Sequence, residues 1–161
     1  MAGHIYKAGV FWRMEGDFKP GKYSRGHLWR FDGGVDVPAS SSPHVVPLPY
    51  SVTAAVDPEE ALIAALSSCH MLTFLDLARR GGLMIDAYED QAEGLMERIA
   101  PGRMAITKVT LRPLLTLRAA ELPDPTWLTD LHDKAHEVCF IANSVKCEIS
   151  VAPEPVRLVA P

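Results

Sequence analysis

The sequence predicts an α+β protein in which one buried central helix packs against antiparallel sheet. Three observations indicate this. First, residues 61–78 contain no Gly or Pro and have helix start and stop signals at their two ends. Second, alternating apolar and polar residues on both sides of this run indicate strands. Third, a shorter helical pattern precedes one last strand. The order strands, helix, strands, helix, strand is typical of α+β proteins with the helices on one side of the sheet.

The central helix is predicted between Asp57 and Gly82. Asp57 is a capping acceptor, Pro58 suits the first helical position, and Glu60 completes a capping box. Two arginines near the other end suit the negative pole of the helix dipole, and Gly81 is expected to supply the left-handed stop. The sequence therefore marks both ends of this helix.

Apolar residues surround the central helix instead of following one stripe. They are Leu62, Ile63, Leu66, Met71, Leu72, Phe74, Leu75 and Leu77. Such a helix is expected to be buried on nearly every side. A sheet covers only one flank, so we expect a second copy of the helix to cover the other. The pattern thus predicts a homodimer.

Upstream of the central helix the sequence predicts strands separated by turns. His4 to Trp12 is rich in β-favouring residues, and Tyr23 to Phe31 alternates cleanly between two faces. Turns are expected at residues 15–22 and 32–34, which contain Gly. Val35 to Ala55 contains several prolines, so it is expected to be an ordered loop with room for one short strand.

Downstream of the central helix, Leu83 to Ile99 is interpreted as one strand. Met104 to Arg118 has the clearest alternation of apolar and polar residues in the chain. Pro113 lies inside that pattern. Because proline lacks a backbone donor, we expect an edge position or a bulge there.

The second helix is expected to be capped by Thr126 and to run to about Ala142. One stripe of it is apolar and includes Leu128, Leu131, Ala135, Val138 and Cys139. A final strand is predicted from Val145 to Val151, and the tail from Pro153 is expected to be loosely held. This arrangement turns Cys139 toward the core.

Length and composition indicate a single domain over residues 1–161. The net charge is −4, so nothing favours a nucleic-acid partner. Polar residues interrupt the apolar stretches before membrane length, and the first residues lack an apolar secretory core, so we expect a cytoplasmic protein without membrane association. Three cysteines without a CxxC pair do not indicate a disulfide scaffold.

The three cysteines have different surroundings. Cys69 lies in a polar patch, SSCH, inside an otherwise apolar helix, and a nucleophilic thiol there would need a nearby cation or donors. Cys147 lies among Val and Ile on a strand, and we interpret it as a packing residue. A zinc site made of Cys69, His70, His136 and Cys139 is disfavoured because adjacent Cys and His side chains cannot easily face one ion.

Two charged residues are candidates for activating a thiol. Arg25 projects from an aromatic strand face, where a stacking role is as reasonable as a role in a site. Glu59 suits the positive end of the helix dipole. It precedes Cys69 by ten residues, about 15 Å along a helix, so the two residues could meet only between antiparallel helices of a dimer.

Three segments together carry a family resemblance. They are YSRGHLWRFDGG, VDPEEALIAALSSCHMLTFLDLA and HEVCFIANSVK. In this combination the chain resembles the OsmC/Ohr family of thiol-dependent hydroperoxide reductases over nearly its whole length. The resemblance implies an OsmC-like α+β fold and an intertwined homodimer with two sites at the interface, each assembled from both subunits.

The resemblance also implies roles for four residues. Cys69 would be the peroxidatic cysteine and Cys139 the resolving cysteine, with a disulfide formed between them. Glu59 matches the family's site carboxylate, and Arg25 is the best match to its arginine, with Arg30 or Arg13 as alternatives. The guanidinium would lower the pKa of the thiol, and the carboxylate would hold the guanidinium.

The chemistry implied by the resemblance needs no metal and no bound organic cofactor. An external dithiol, in this family often a lipoyl-type protein thiol, would return the electrons. An alternative function is a non-redox protein that binds an apolar small molecule in the same interfacial cleft, with its cysteines serving only as packing. Loss of free thiols on exposure to peroxide would separate the two.

Overall fold

The computed structural model describes residues 3–161 and contains two compact units. The first unit ends at Ala61, and the second is Leu62–Pro161. The mixed α+β class predicted from the sequence is confirmed, with two α-helices and antiparallel-rich sheets. The single-domain assignment stays a prediction.

The first unit contains an antiparallel sheet in the order β1-β4-β5 and a small hairpin of β2 and β3. Their bounds are β1 Ala8–Phe11, β2 Gly16–Asp17, β3 Lys22–Tyr23, β4 His27–Phe31 and β5 Asp36–Ala39. The strand expected from His4 is shorter than predicted, because only four residues pair with β4. The loop expected before the helix does contain one short strand, β5.

Helix α1, Pro58–Arg80, begins as the sequence predicts. The amide of Glu60 donates to the Asp57 carboxylate at 2.8 Å, and the Asp57 amide donates back to the Glu60 carboxylate at 3.2 Å. The left-handed residue after the helix is Gly82, with φ of 85°, so the assignment to Gly81 was wrong. Gly81 serves close packing instead, because a Cβ there would lie 2.7 Å from the Trp127 ring.

Burial on α1 follows one stripe at a spacing of four residues: Leu66, His70, Phe74 and Ala78. Leu72 is 63% exposed, so the prediction of burial on nearly every side is wrong within one protomer. By length and composition alone α1 is apolar enough to cross a membrane. Its buried stripe packs inside the protein, as in a core helix.

The second unit contains two three-stranded sheets, in the orders β10-β8-β7 and β11-β9-β6. The strands are β6 Ile85–Asp90, β7 Glu93–Ala100, β8 Arg103–Leu111, β9 Pro113–Arg118, β10 Glu148–Val151 and β11 Arg157–Val159. The predicted strand over residues 83–99 is therefore two strands, β6 and β7, in different sheets. Pro113 begins β9, where its missing donor is tolerated.

Two features of these sheets differ from the prediction. Strands β10 and β11 pair in parallel with β8 and β9, so the sheets are not wholly antiparallel. The tail beyond Pro153, expected to be loose, contributes β11 because Arg157–Val159 pairs with β9.

Two apolar clusters form the core of the second unit. In one, Phe74 and Ala78 of α1 pack with buried residues of β9 and α2, namely Leu115, Leu117, Leu131 and Ala135. In the other, Leu66 of α1 packs with Val109 and Leu111 of β8. The alternation predicted for residues 104–118 is confirmed, since its apolar members are the buried ones.

Helix α2 is Pro125–Val138, shorter than predicted at its C-terminal end. Its cap is Asp124, which accepts from the Thr126 amide at 2.8 Å, and not Thr126 itself. Cys139 follows the helix in an extended conformation and is buried, whereas Val138 is 51% exposed and does not belong to the buried stripe. A 3-10 helix, Ala142–Ser144, continues the chain toward β10.

Candidate active site

Cys69 and Cys139 have neighbouring thiols in the second unit. Cys69 lies in the middle of α1 and is partly exposed, while Cys139 follows α2 and is buried. Burial raises the pKa of the Cys139 thiol, and the Cys69 thiol raises it further through a hydrogen bond and charge repulsion. Backbone amides of Ala142 and Ile141 oppose this rise. Two sulfurs seventy residues apart in sequence thus become neighbours, both as free thiols.

Backbone contacts hold both cysteines in place. The Thr73 hydroxyl donates to the Cys69 carbonyl at 2.9 Å. The Cys139 amide donates to the His136 carbonyl at 3.3 Å, and the Asn143 amide donates to the Cys139 carbonyl at 3.0 Å. The main chain at the end of α2 is therefore fixed around Cys139, which is 1% exposed.

Cys147 has a different environment. It is partly buried against the apolar cluster of Leu66, Val109 and Leu111. This contact supports the interpretation of Cys147 as a packing residue. It also makes Cys147 an internal control for the thiol pair.

Arg25 lies in the first unit and lines a cavity of about 370 Å³. Its guanidinium carbon is 3.6 Å from the centroid of the Tyr23 ring, and its Nη1 donates to the carbonyls of Gly21 and Tyr23. Trp12 and Phe18 complete an aromatic wall with Tyr23, with the Phe18 and Tyr23 centroids 4.8 Å apart. Arg25 therefore stacks on Tyr23 and also lines the cavity.

His27 fixes the main chain beside Arg25. The Trp29 indole donates to Nε2 of His27 at 3.0 Å, so neutral His27 has its proton on Nδ1. That Nδ1 donates to the Arg25 carbonyl at 2.8 Å. Arg25 lies between β3 and β4, so the predicted strand from Tyr23 to Phe31 is interrupted there. The bond to His27 fixes the Arg25 carbonyl in this connecting segment.

The two alternative arginines do not line this cavity. Arg30 forms a bidentate ion pair with Asp36, with both N–O distances at 2.7 Å. That pair raises the pKa of Arg30 and lowers the pKa of Asp36, chiefly through the hydrogen bond. Arg13 is exposed. Of the three arginines, Arg25 is therefore the one that lines the aromatic cavity.

Glu59 begins α1 and is partly buried. Its Oε2 atom is buried and has no hydrogen-bond partner. Among residues 3–161 no ion pair joins Glu59 to Arg25, so the pairing that the resemblance implies is not formed within one protomer. A buried carboxylate oxygen without a partner is costly, which makes Glu59 a candidate for a contact with another molecule.

A pair of buried histidines lies beside the thiols, and one of them escaped the sequence analysis. Nε2 of His70 and Nδ1 of His132 are 3.1 Å apart, and their rings stack at 5.4 Å. Burial lowers the pKa of each to about 4. His70 thus faces His132 and not the Cys69 sulfur, as helix geometry predicted. No local signal in the sequence marked His132, because its partner His70 lies sixty-two residues away.

Within residues 3–161 no three His, Cys, Asp or Glu side chains are grouped so as to hold a metal ion. Of the four residues weighed for zinc, Cys69 and Cys139 form the thiol pair, whereas His70 pairs with His132.

Comparison with known proteins decides the family. The model of the family described as OsmC-like protein matches residues 52–154, more than half of the chain. The chain belongs to the OsmC-like family. An OsmC-like protein of unknown function from Vibrio cholerae is 44% identical, with a TM-score of 0.90 over 94% of this chain and 100% of that chain.

Other OsmC-like structures share the fold at low identity. An organic hydroperoxide resistance protein from Elizabethkingia anophelis is 15% identical, with a TM-score of 0.61 over 99% of this chain and 100% of that chain. A protein from Legionella pneumophila, described as an organic hydroperoxide resistance protein OsmC, is 16% identical, with a TM-score of 0.60 over 98% of this chain and 100% of that chain. No curated protein matches the sequence.

Proposed function

We propose that this OsmC-like protein is a thiol peroxidase that reduces organic hydroperoxides through Cys69 and Cys139. The observation that carries the proposal is that the Cys69 thiol is near enough to Cys139 in the second unit to raise the pKa of the Cys139 thiol. Structural relatives described as organic hydroperoxide resistance proteins support the substrate class.

The reaction balances with an external dithiol as the electron donor. The Cys69 thiolate attacks the O–O bond of ROOH, and with one proton this gives the Cys69 sulfenic acid and ROH. The Cys139 thiol then attacks that sulfur and releases water, which leaves a Cys69–Cys139 disulfide. A dithiol, such as a lipoyl group on a protein, reduces the disulfide and becomes oxidised itself.

The raised pKa of Cys139 fits the division of labour. The raised pKa makes the buried Cys139 thiol a weak nucleophile toward a free peroxide, and the partly exposed Cys69 is more accessible to a substrate. Cys139 attacks only after the sulfenic acid has formed on its neighbour Cys69. Cys69 therefore takes the peroxidatic role, and Cys139 the resolving role.

Arg25 and Glu59 are proposed to complete the site in a homodimer. The guanidinium would stabilise the Cys69 thiolate and orient the peroxide, and the Glu59 carboxylate would hold the guanidinium. The orphaned Oε2 of Glu59 supports a partner that one protomer does not supply. The aromatic wall of Trp12, Phe18 and Tyr23 would accept the organic group of the peroxide.

Exposed apolar side chains support the homodimer. Apolar residues of α1, β1 and β7 are exposed, namely Leu72, Val10, Phe11, Leu95 and Met96. Large exposed apolar side chains are what the interface of a homodimer would cover. Light scattering after size exclusion should give twice the 17.6 kDa protomer mass, and Leu72→Glu should shift the protein toward the monomer. A wild-type mass of one protomer would refute the dimer.

Counting thiols after addition of cumene hydroperoxide tests the peroxidase. Wild-type protein should lose two of its three free thiols, and mass spectrometry should locate a Cys69–Cys139 disulfide. Cys69→Ser should lose none, whereas Cys139→Ser should lose one thiol as the sulfenic acid. Cys147→Ser is the matched control and should still lose two.

The same experiment separates the second candidate function, non-redox binding of an apolar molecule, which the aromatic cavity near Arg25 favours. Unchanged thiol counts in wild-type protein would overturn the peroxidase and leave the binding protein. The proposed peroxidase would act in the cytoplasm and would need no bound cofactor.

A further inference from the structure

The two members of the thiol pair differ in access. Cys139 is 1% exposed, whereas Cys69 is partly exposed. In thiol–disulfide exchange the attacking thiolate must reach the sulfur with which it forms the new bond. A disulfide between these two residues therefore offers an external thiol two unequal points of attack.

Hydrogen bonds hold Cys139 in its buried position. Its amide donates to the His136 carbonyl at 3.3 Å, and its carbonyl accepts from the amide and from Nδ2 of Asn143, both at 3.0 Å. The same Nδ2 donates to the Glu137 carbonyl at 2.9 Å. These bonds fasten the segment after α2 to the last turn of the helix. Exposing Cys139 would require breaking several of them, and each loss is unfavourable.

The surface of α1 beside Cys69 is open. Ala65 and Leu72, four residues before Cys69 and three after it, are its neighbours on the helix surface, and both are exposed. Ser68 is exposed as well, and its hydroxyl donates back to the Ala65 carbonyl at 3.3 Å. Two of these three side chains are small. An external thiol can therefore approach Cys69 along this part of the helix.

A second subunit does not reverse this order of access. Further protein on the surface covers more of it and cannot uncover Cys139. Under the proposed function a hydroperoxide reaches the Cys69 sulfur, so a path to that sulfur stays open.

Access outweighs leaving-group ability in this pair. The raised pKa makes Cys139 a poorer leaving group than an ordinary thiol, which by itself would direct attack to Cys139 with Cys69 leaving. Burial blocks that attack, because Cys139 is 1% exposed. The amides of Ala142 and Ile141 hydrogen-bond to the Cys139 sulfur and favour its thiolate as it departs.

We propose that the external dithiol attacks the Cys69 sulfur of the disulfide, so that the mixed disulfide forms on Cys69 and Cys139 departs as a thiolate. The bond between the donor sulfur and Cys69 forms while the Cys69–Cys139 bond breaks, and the Cys139 thiolate takes up a proton. The second thiolate of the donor then attacks the donor's own sulfur in the mixed disulfide. This step releases the Cys69 thiolate and the oxidised donor. The proposal rests on the proposed function for its electron donor.

A limiting amount of a monothiol stops the exchange at the mixed disulfide and so shows which sulfur was attacked. Diamide oxidises the wild-type protein, iodoacetamide blocks Cys147, and 2-mercaptoethanol is added at pH 7. After an acid quench and denaturation, N-ethylmaleimide labels the cysteine that was set free. Mass spectrometry should find 2-mercaptoethanol on Cys69 and the label on Cys139 about ten times as often as the reverse, since access selects the sulfur.

The same oxidised protein in concentrated urea is the matched control, because unfolding exposes both sulfurs. There the two assignments should be equally frequent. Equal frequencies in the folded protein, an excess of the reverse assignment, the same preference in urea, or failure of diamide to link the two residues would each overturn the proposal. Because diamide needs no peroxide, a protein that diamide oxidises and cumene hydroperoxide does not would refute the peroxidase alone.

Variants on the surface of α1 test the direction of approach. Ala65→Phe places a large ring one turn before Cys69 and should slow the attack of 2-mercaptoethanol about tenfold. Ala64→Phe is the matched control, because Ala64 is also exposed but lies about 140° around the helix from Cys69. It should react at the wild-type rate. A wild-type rate in Ala65→Phe would refute approach along this face.

Discussion

Cys69 and His70 are neighbours on α1, yet they lie beside different partners and form pairs with different chemical properties. Cys69 lies near Cys139, just after α2, and raises its pKa, whereas His70 contacts His132, within α2. In the thiol pair, Cys69 is partly exposed, and backbone amides hydrogen-bond to the Cys139 thiol and oppose the rise of its pKa. The imidazole pair is buried throughout, and each ring keeps one nitrogen without a partner.

The difference follows from the hydrogen-bonding capacity of the two side chains. A thiol is a weak donor and acceptor, so two adjacent thiols can be buried at little cost and remain free to form a covalent bond. An imidazole has two strong polar nitrogens, and a pair can satisfy only one on each ring. The thiol pair is therefore buried at little cost, while each imidazole ring keeps one buried nitrogen without a partner.

The largest expected effect of this contrast is acid destabilisation by the imidazole pair. Burial is the main cause that holds the pKa of His70 and His132 at about 4, below the ordinary 6.5. Nearby His136 lowers the His70 value further and Asp90 raises it. The unfolded chain then binds more protons than the folded protein between pH 6.5 and 4. Stability is complete above pH 6.5 and falls as the pH drops toward 4.

Urea unfolding at pH 7.5 and pH 4.5 measures this loss. Each imidazole should account for on the order of 2 kcal/mol of it. The double variant His70→Gln/His132→Gln should show a much smaller difference between the two pH values, and His44→Gln should show the wild-type difference. An equal loss in the double variant would assign the acid sensitivity to other groups.

A smaller effect is expected on the alkaline side, from the thiol pair. Because the pKa of Cys139 is raised above 9.0 in the folded protein, the unfolded chain loses its proton first as the pH rises. The stability that this thiol contributes is therefore fully present below about pH 9 and is lost as the pH rises through the raised pKa of Cys139. The effect should be the smaller one, because the amides of Ala142 and Ile141 oppose the rise.

Unfolding of the reduced protein between pH 8 and pH 10.5 measures the alkaline effect. Cys139→Ser should flatten this part of the stability profile, and Cys147→Ser should retain the wild-type slope. A profile that is unchanged in Cys139→Ser would mean that other groups control the alkaline side.

Local signals in the sequence were sufficient for the elements they act on. The Asp57 and Glu60 capping box formed as predicted, and so did the buried alternation at Val109, Leu111, Leu115 and Leu117. They were insufficient where pairing is decided by distant strands. Residues 83–99 divide between two sheets, and Arg157–Val159 becomes a strand only because β9 offers an edge.

The candidate site shows the same division. The setting of Cys69 in a polar patch marked it as unusual, and the family resemblance named its partner. His132 went unnoticed because its buried contact with His70 spans sixty-two residues of sequence. A histidine on a mixed helix surface is not distinctive until its neighbours are known.

The sequence by itself determined the α+β class, the start of α1, and the residues able to carry thiol chemistry. Capping, alternation and residue type act over a few neighbouring positions, so they can be recognised without a fold. Only the tertiary structure decided which face of α1 is buried, which thiols are neighbours, and that His132 is buried against His70. Those outcomes depend on contacts between segments far apart in the chain, and burial there changes both pKa and hydrogen bonding.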